Sequence, residues 1–133
     1  PKRSIQVAVV VLLIINLQAC KSVKKVQAPI LNQVIRIDHH FINKKERLLI
    51  ENEELPAPVY LAKQNSDYIA ILLLCTYKEC VLSHTGESFN CPCHGDEFDL
   101  SGIPVNGSAT KNLKRFITEV KDGQVFIHLN LSS

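Results

Sequence analysis

The sequence predicts an all-β fold: an antiparallel sandwich or partly open barrel with a small separate lobe. Three observations lead there. Short apolar runs of strand length recur between polar, Pro, Asn or Asp residues. Two pairs of these runs are joined by turn signals, and no stretch after residue 30 carries a helical period.

In chain order, Val34–Ile37, Arg47–Ile50 and Pro58–Ala62 read as the first strands. Gln64-Asn65-Ser66-Asp67 is rich in turn formers, so Val59–Lys63 and Tyr68–Leu74 form a hairpin. Tyr68–Leu74 is too continuously apolar for an edge strand and is expected to be buried on both faces. Arg115–Val120 and Gln124–Leu129 alternate apolar with polar residues around Lys121-Asp122-Gly123, an Asp-Gly hairpin signal. Between the hairpins, residues 75–107 hold most of the cysteines and are expected to be the inserted lobe.

The chain of 133 residues suits one domain with an appendage. Lys2-Arg3 precedes an unbroken apolar run from Val7 to Ile15, and Leu17-Gln18-Ala19-Cys20 closes it. That is the charged, apolar and small-residue order of a secretory signal. A small residue directly before Cys20 resembles a bacterial lipobox, which implies that residues 1–19 are cleaved and that Cys20 carries lipid. An uncleaved span would need about 20 apolar residues; the stretch here is shorter and interrupted by Gln6, Asn16 and Gln18. Residues 20–30 then read as lipidated Cys20 and a polar tether, and residues 31–133 as the folded domain. The expected place is the periplasmic side of a bacterial membrane, held through lipid.

Fifteen basic residues face thirteen acidic ones, and loss of Lys2 and Arg3 makes them equal. A neutral domain lacks the concentrated basic surface that nucleic-acid binding requires. No Ser/His/Asp or paired-carboxylate spacing points to independent catalysis. His39-His40 is expected to begin a solvated turn and His128 to face outward from a strand.

With Cys20 assigned to lipid, Cys75, Cys80, Cys91 and Cys93 remain. They sit in two boxes, Cys75-Thr76-Tyr77-Lys78-Glu79-Cys80 and Cys91-Pro92-Cys93-His94-Gly95, each after an apolar run. Thiolates and imidazoles are ligands for iron–sulfur centres. At these residues, and in the continuation Phe98-Asp99-Leu100-Ser101-Gly102, the chain resembles the Rieske [2Fe–2S] family, specifically its disulfide-containing cytochrome bc-complex type. The resemblance spans nearly all of residues 32–131. It implies a Rieske-type antiparallel β-sandwich with a two-loop cluster-binding lobe. Cys75 and Cys91 would hold one iron, His94 the other, and Cys80 and Cys93 would form the disulfide joining the loops. Such a bridge is worth about 2–4 kcal/mol.

The family's first loop has a His where Tyr77 stands. A phenolic oxygen reaches further than an imidazole nitrogen, so the loop would have to retreat, and a phenolate favours ferric iron. Lys78-Glu79 replaces Leu-Gly, Asp96 stands where a Ser donates to a bridging sulfide, and Phe98 where a Tyr donates to a cysteine sulfur. Lost donors to sulfur disfavour the reduced cluster. The family's proline-rich covering loop is reduced to Gly107-Ser108-Ala109-Thr110.

Several readings follow. A [2Fe–2S] cluster binds with Tyr77, His84 or an exogenous group as fourth ligand, and the protein passes single electrons to a redox or respiratory-complex partner. Alternatively the cluster is lost and the fold serves as a binding or assembly module, with Cys75–Cys91 open to pairing as a second disulfide. A third arrangement places a tetrahedral metal on Cys75, Cys91, His94 and His84, a donor mixture that suits Zn²⁺. An oxygenase-type ferredoxin is opposed by the export signal and the disulfide pair.

Overall fold

The computed structural model describes residues 23–42 and 47–132. The expected signal segment 1–19 and Cys20 lie outside the described residues. Among the described residues there are twelve strands: β1 (Lys24–Gln27), β2 (Ile30–Leu31), β3 (Val34–Asp38), β4 (Arg47–Glu51), β5 (Val59–Gln64), β6 (Asp67–Leu72), β7 (Ser83–His84), β8 (Phe89–Asn90), β9 (Glu97–Phe98), β10 (Pro104–Asn106), β11 (Arg115–Lys121) and β12 (Gln124–Ser132). A 3₁₀ turn, His39–Phe41, is capped by the Asp38 carboxylate.

Eight strands form one sheet in the order β1-β4-β5-β6-β11-β12-β3-β2. The sheet curls until alternate residues from all its principal strands meet. Ile35 and Ile37 of β3 share one cluster with Leu48 and Ile50 of β4, Val59 and Leu61 of β5, Ala70 and Leu72 of β6, and Val125 and Ile127 of β12. Period-two alternation places these side chains on one face. The sandwich is therefore one sheet closed over its own apolar face.

Both expected hairpins form. In β5–β6, Val59 pairs with Leu72 and Gln64 with Asp67, around Asn65 at φ 57°. In β11–β12, Lys121 pairs with Gln124, and Asp122 and Gly123 both take positive φ, as a two-residue turn with the twist of the strands requires.

β5 and β6 are buried on both faces, as the unbroken apolar run predicts. Their second set, Tyr60, Ala62, Ile69 and Ile71, leads into Leu73 and packs against Leu82, Phe89, Phe98, Ala109 and Leu113. This second core seats the lobe, whose small sheet has the order β10-β9-β8-β7. Cys75 and Cys91 belong to it. The site rests on the back of the most deeply buried hairpin.

The expected tether differs in part. Lys24–Gln27 pairs in parallel with Arg47–Glu51's strand, Lys24 beside Leu48 and Gln27 beside Glu51. Its lysines point to solvent while Val26 packs on the core, so a segment polar in composition still supplies the edge that β4 would otherwise leave open. His39 and His40 are exposed in the 3₁₀ turn, and His128 contacts Glu119 at the sheet surface. No helix among the described residues is long and apolar enough to cross a membrane.

Candidate metal centre

Two loops leave the second core and return to it. In the first, Cys75 follows β6 and the bridge Leu74–Val81 closes the base. In the second, Cys91 directly follows β8 and Asp96 directly precedes β9. The pairing of β8 with β9 fixes the mouth of this second loop.

The loops are joined by a disulfide between Cys80 and Cys93. Cys75 and Cys91 remain free thiols, 1% and 3% exposed. The second disulfide left open by the cysteine count is not formed. His94 Nδ1 lies 2.9 Å from Cys91 Sγ and 3.0 Å from Asp96 Oδ2. Cys75 Sγ lies 3.6 Å from Asp96 Oδ2. Cys75, Cys91, His94 and Asp96 each offer one donor atom, and these atoms all lie within 4.8 Å of one another.

Burial pushes the Cys75 thiol up, with the nearby Cys91 and Asp96 adding to it. Loading a metal there means expelling a proton, because thiolate is the ligand form. Asp96 is driven the opposite way. The Ala109 amide above all, then the Ser108 amide, the Cys75 thiol and His94, hold its carboxyl below the usual range against the cost of burial.

Of the other expected positions, Tyr77 is 48% exposed, its ring edge-on to His94 with centroids 5.3 Å apart. Lys78 Nζ lies over the same ring at 5.4 Å. His84 stands outside the convergent group. Its ring packs on Tyr60 at 5.4 Å and Phe89 at 5.6 Å, and its Nε2 is 3.5 Å from an Arg47 nitrogen. Burial, followed by the Arg47 charge, pushes the His84 pKa down. Phe98 is fully buried in the second core.

From the sequence, Asp96 is only a lost hydrogen-bond donor. A charged residue two places after a ligand histidine, in a box whose partner loop lacks its own histidine, was the available signal. Its oxygen is held by the amides of Ser108 and Ala109, 12 and 13 residues away, which no local pattern reveals.

Free buried thiols, a facing imidazole and a disulfide clasp on a β-sheet platform make a two-loop site whose donors could hold a metal. A profile of the Rieske [2Fe-2S] domain matches residues 40–117, and the chain belongs to that family. Over 75 residues it is 35% identical to the cytochrome b6-f complex iron-sulfur subunit of Synechococcus elongatus, covering 53% of this chain and 42% of that one. The subunit of the same description from Prochlorococcus marinus is 33% identical over the same length. The chain thus spans less than half the length of these curated relatives. A solved complex of reduced oxygenase and oxidized ferredoxin in carbazole 1,9a-dioxygenase contains a chain of the same fold, at TM-score 0.56 and 19% identity, covering 77% of this chain and 98% of that one.

Membership of the family implies a [2Fe–2S] cluster, and the donor set can be tested against it. Two free thiols, Cys75 and Cys91, and the His94 imidazole face one another there. The remaining donor is not a histidine, but a buried carboxylate faces the same space. Cys75, Cys91, His94 and Asp96 are thus a donor group that could hold a metal centre.

Proposed function

We propose that this protein is a membrane-tethered, extracytoplasmic Rieske-type electron carrier with an atypical site. Cys75, Cys91 and His94 would hold a [2Fe–2S] cluster, and the protein would serve a redox or respiratory-complex partner rather than catalyse a reaction itself. The observation that carries this reading is the pair of free, buried thiols facing His94 Nδ1, beside a second cysteine pair already joined. A protein that needed only staples would gain from joining all four.

When bound, such a cluster takes up and releases single electrons at a potential set by its ligands and surroundings. The chain's own residues do the rest. Cys75 and Cys91 are embedded in the second core, which keeps water from the sulfur side. His94 keeps a side-chain exposure of 20%, so its ring is the donor that reaches the surface. Half-exposed Tyr77 lies against that ring, making the His94–Tyr77 edge the face presented to a partner. The Cys80–Cys93 bridge holds both loops in one geometry, which limits the reorganisation that accompanies a change of charge. Lipid on Cys20, with Lys21, Lys24 and Lys25 following, would keep the domain at an anionic surface.

The test is iron and acid-labile sulfide content with a visible spectrum, on the full chain with its disulfide intact. Two irons and two sulfides per chain are expected. A colourless, well-folded protein after reconstitution with Cys75 and Cys91 reduced would reject electron transfer in favour of an interaction module. Tethering is checked separately: Cys20→Ser should move the protein from the membrane fraction to the soluble one.

A further inference from the structure

Asp96 is 1% exposed, and a carboxylate this deep must be fully partnered. Its two oxygens are used differently. Oδ1 accepts from the backbone amides of Ser108 at 2.5 Å and Ala109 at 2.9 Å. Oδ2 has no backbone donor. It faces His94 Nδ1 at 3.0 Å and the Cys75 thiol at 3.6 Å, two groups that become metal ligands in the reading above. Once Cys75 has lost its proton and His94 has turned its lone pair to a metal, neither can donate to Oδ2. The loaded site would then hold an uncompensated buried carboxylate oxygen, unless that oxygen binds the metal as well.

We infer that Asp96 Oδ2 is the fourth protein ligand of the centre, in place of the histidine missing from the first loop. The inference rests on the cluster reading of the site and deepens it. Its geometry is that of a held ligand: one oxygen is locked by two amides, so the other is aimed before any metal arrives. Gly107 makes the lock possible. A Cβ there would stand 2.3 Å from Asp96 Oδ1 and 2.8 Å from its Cα, so only glycine lets the covering segment close this tightly.

The competing donors are placed for other contacts. His84 is outside the convergent group, with its Nε2 turned to the Arg47 guanidinium. The Tyr77 ring lies against the His94 ring and half in solvent. Two thiolates and one carboxylate give the centre one more negative charge than two thiolates and two neutral imidazoles. Its potential should fall below that of a two-histidine centre in an otherwise similar setting, and its only imidazole ligand is His94.

The experiment compares the full chain with Asp96→Asn, Tyr77→Phe and His84→Gln, each reconstituted with iron and sulfide. Asn keeps a carbonyl oxygen for the Ser108 and Ala109 amides but offers an uncharged NH₂ where the ligand oxygen stood. Asp96→Asn should lose at least half of the bound iron or shift the electron paramagnetic resonance spectrum of the reduced protein. The other two variants should match the parent in both. Parent protein grown with ¹³C-labelled aspartate provides a second readout that does not depend on a variant folding. A ¹³C hyperfine coupling, together with nitrogen couplings from one histidine, is expected. Asp96→Asn matching the parent in iron, sulfide and spectrum, or absence of the ¹³C coupling, would overturn the ligand assignment while leaving the cluster reading intact. A parent chain that takes up neither iron nor sulfide would overturn both.

Discussion

The two loops of the site share a backbone and differ in what they hang on it. Cys75 N–H donates to the Cys80 carbonyl at 2.8 Å, and Cys91 N–H donates to the Asp96 carbonyl at 2.8 Å. Glu79 N–H donates to the Cys75 carbonyl at 3.0 Å, and Gly95 N–H to the Cys91 carbonyl at 3.0 Å. Each loop is the same six-residue turn, closed by the same pair of bonds. The chemistry is lopsided all the same. The second loop offers Cys91, His94 and Asp96, while the first offers only Cys75 from the convergent group. A shared cage of backbone bonds thus gives the two loops one shape, whatever donors each carries.

The largest expected effect comes from uncoupling the loops. The Cys80–Cys93 bridge closes a separation of 13 residues. For a loop of that size the Cys80→Ser, Cys93→Ser double variant should be about 3 kcal/mol less stable. Denaturant midpoints of the metal-free forms measure this directly. If the two turns are self-sufficient, the loss will fall well short of that figure, and the bridge will have been only a local clasp.

Next in size is the seat of Asp96. Gly107→Ala should cost about 1–3 kcal/mol from overpacking against the Asp96 backbone. Gly86→Ala is the matched control: that glycine also has positive φ, at +94°, but nothing lies within 4 Å of an added Cβ. The stability difference between the two variants isolates the clash from backbone strain. Equal losses would mean that Asp96 is free to move, and that its alignment with the first-loop thiol is not held by the covering segment.

Much of this arrangement could be read along the chain, because strands and hairpins are local. Alternation in Arg115–Val120 and the Asp122-Gly123 turn specify a hairpin within a few residues. The unbroken run at Tyr68–Leu74 announced a strand buried twice over, and the second core accounts for it. Cys91-Pro92-Cys93-His94-Gly95 likewise carries its meaning in adjacent positions. The parallel pairing of Lys24–Gln27 does not, since it depends on an edge that β4 presents more than twenty residues later. The burial of Asp96 is hidden for the same reason. The box places Asp96 beside the site, and only the fold brings the amides of Ser108 and Ala109 over it.

A smaller effect sharpens where the site ends. The folded-state pKa of His84 lies below its ordinary 6.5, chiefly through burial. Between those two values the unfolded chain binds the proton and the folded one does not. The metal-free protein should therefore keep this contribution in full above about pH 6.5 and lose it as the pH falls from there through the folded value. Thermal midpoints between pH 7.5 and 5 should decline less in His84→Gln than in the parent. Parallel declines would mean that His84 is hydrated and takes no part in the second core.

The smallest effect has the opposite sign and bears on the loops most directly. The fifth position of each turn takes positive φ: Gly95 at 76° in the second loop, Glu79 at 51° in the first. A left-handed conformation costs a residue with a Cβ about 1–2 kcal/mol, and glycine almost nothing. Glycine also loses more chain entropy on folding, which returns about 0.5–1 kcal/mol of that gain. Glu79→Gly should thus stabilise the metal-free protein by up to about 1 kcal/mol, seen as a later denaturant midpoint at unchanged slope. It would also remove a carboxylate from the exposed rim of the site while leaving the donor group of Cys75, Cys91, His94 and Asp96 untouched. An increase confined to stability would show that the first loop keeps its turn at an energetic disadvantage. A change in the loaded protein's spectrum as well would mean that the turn's geometry reaches the metal through Cys75.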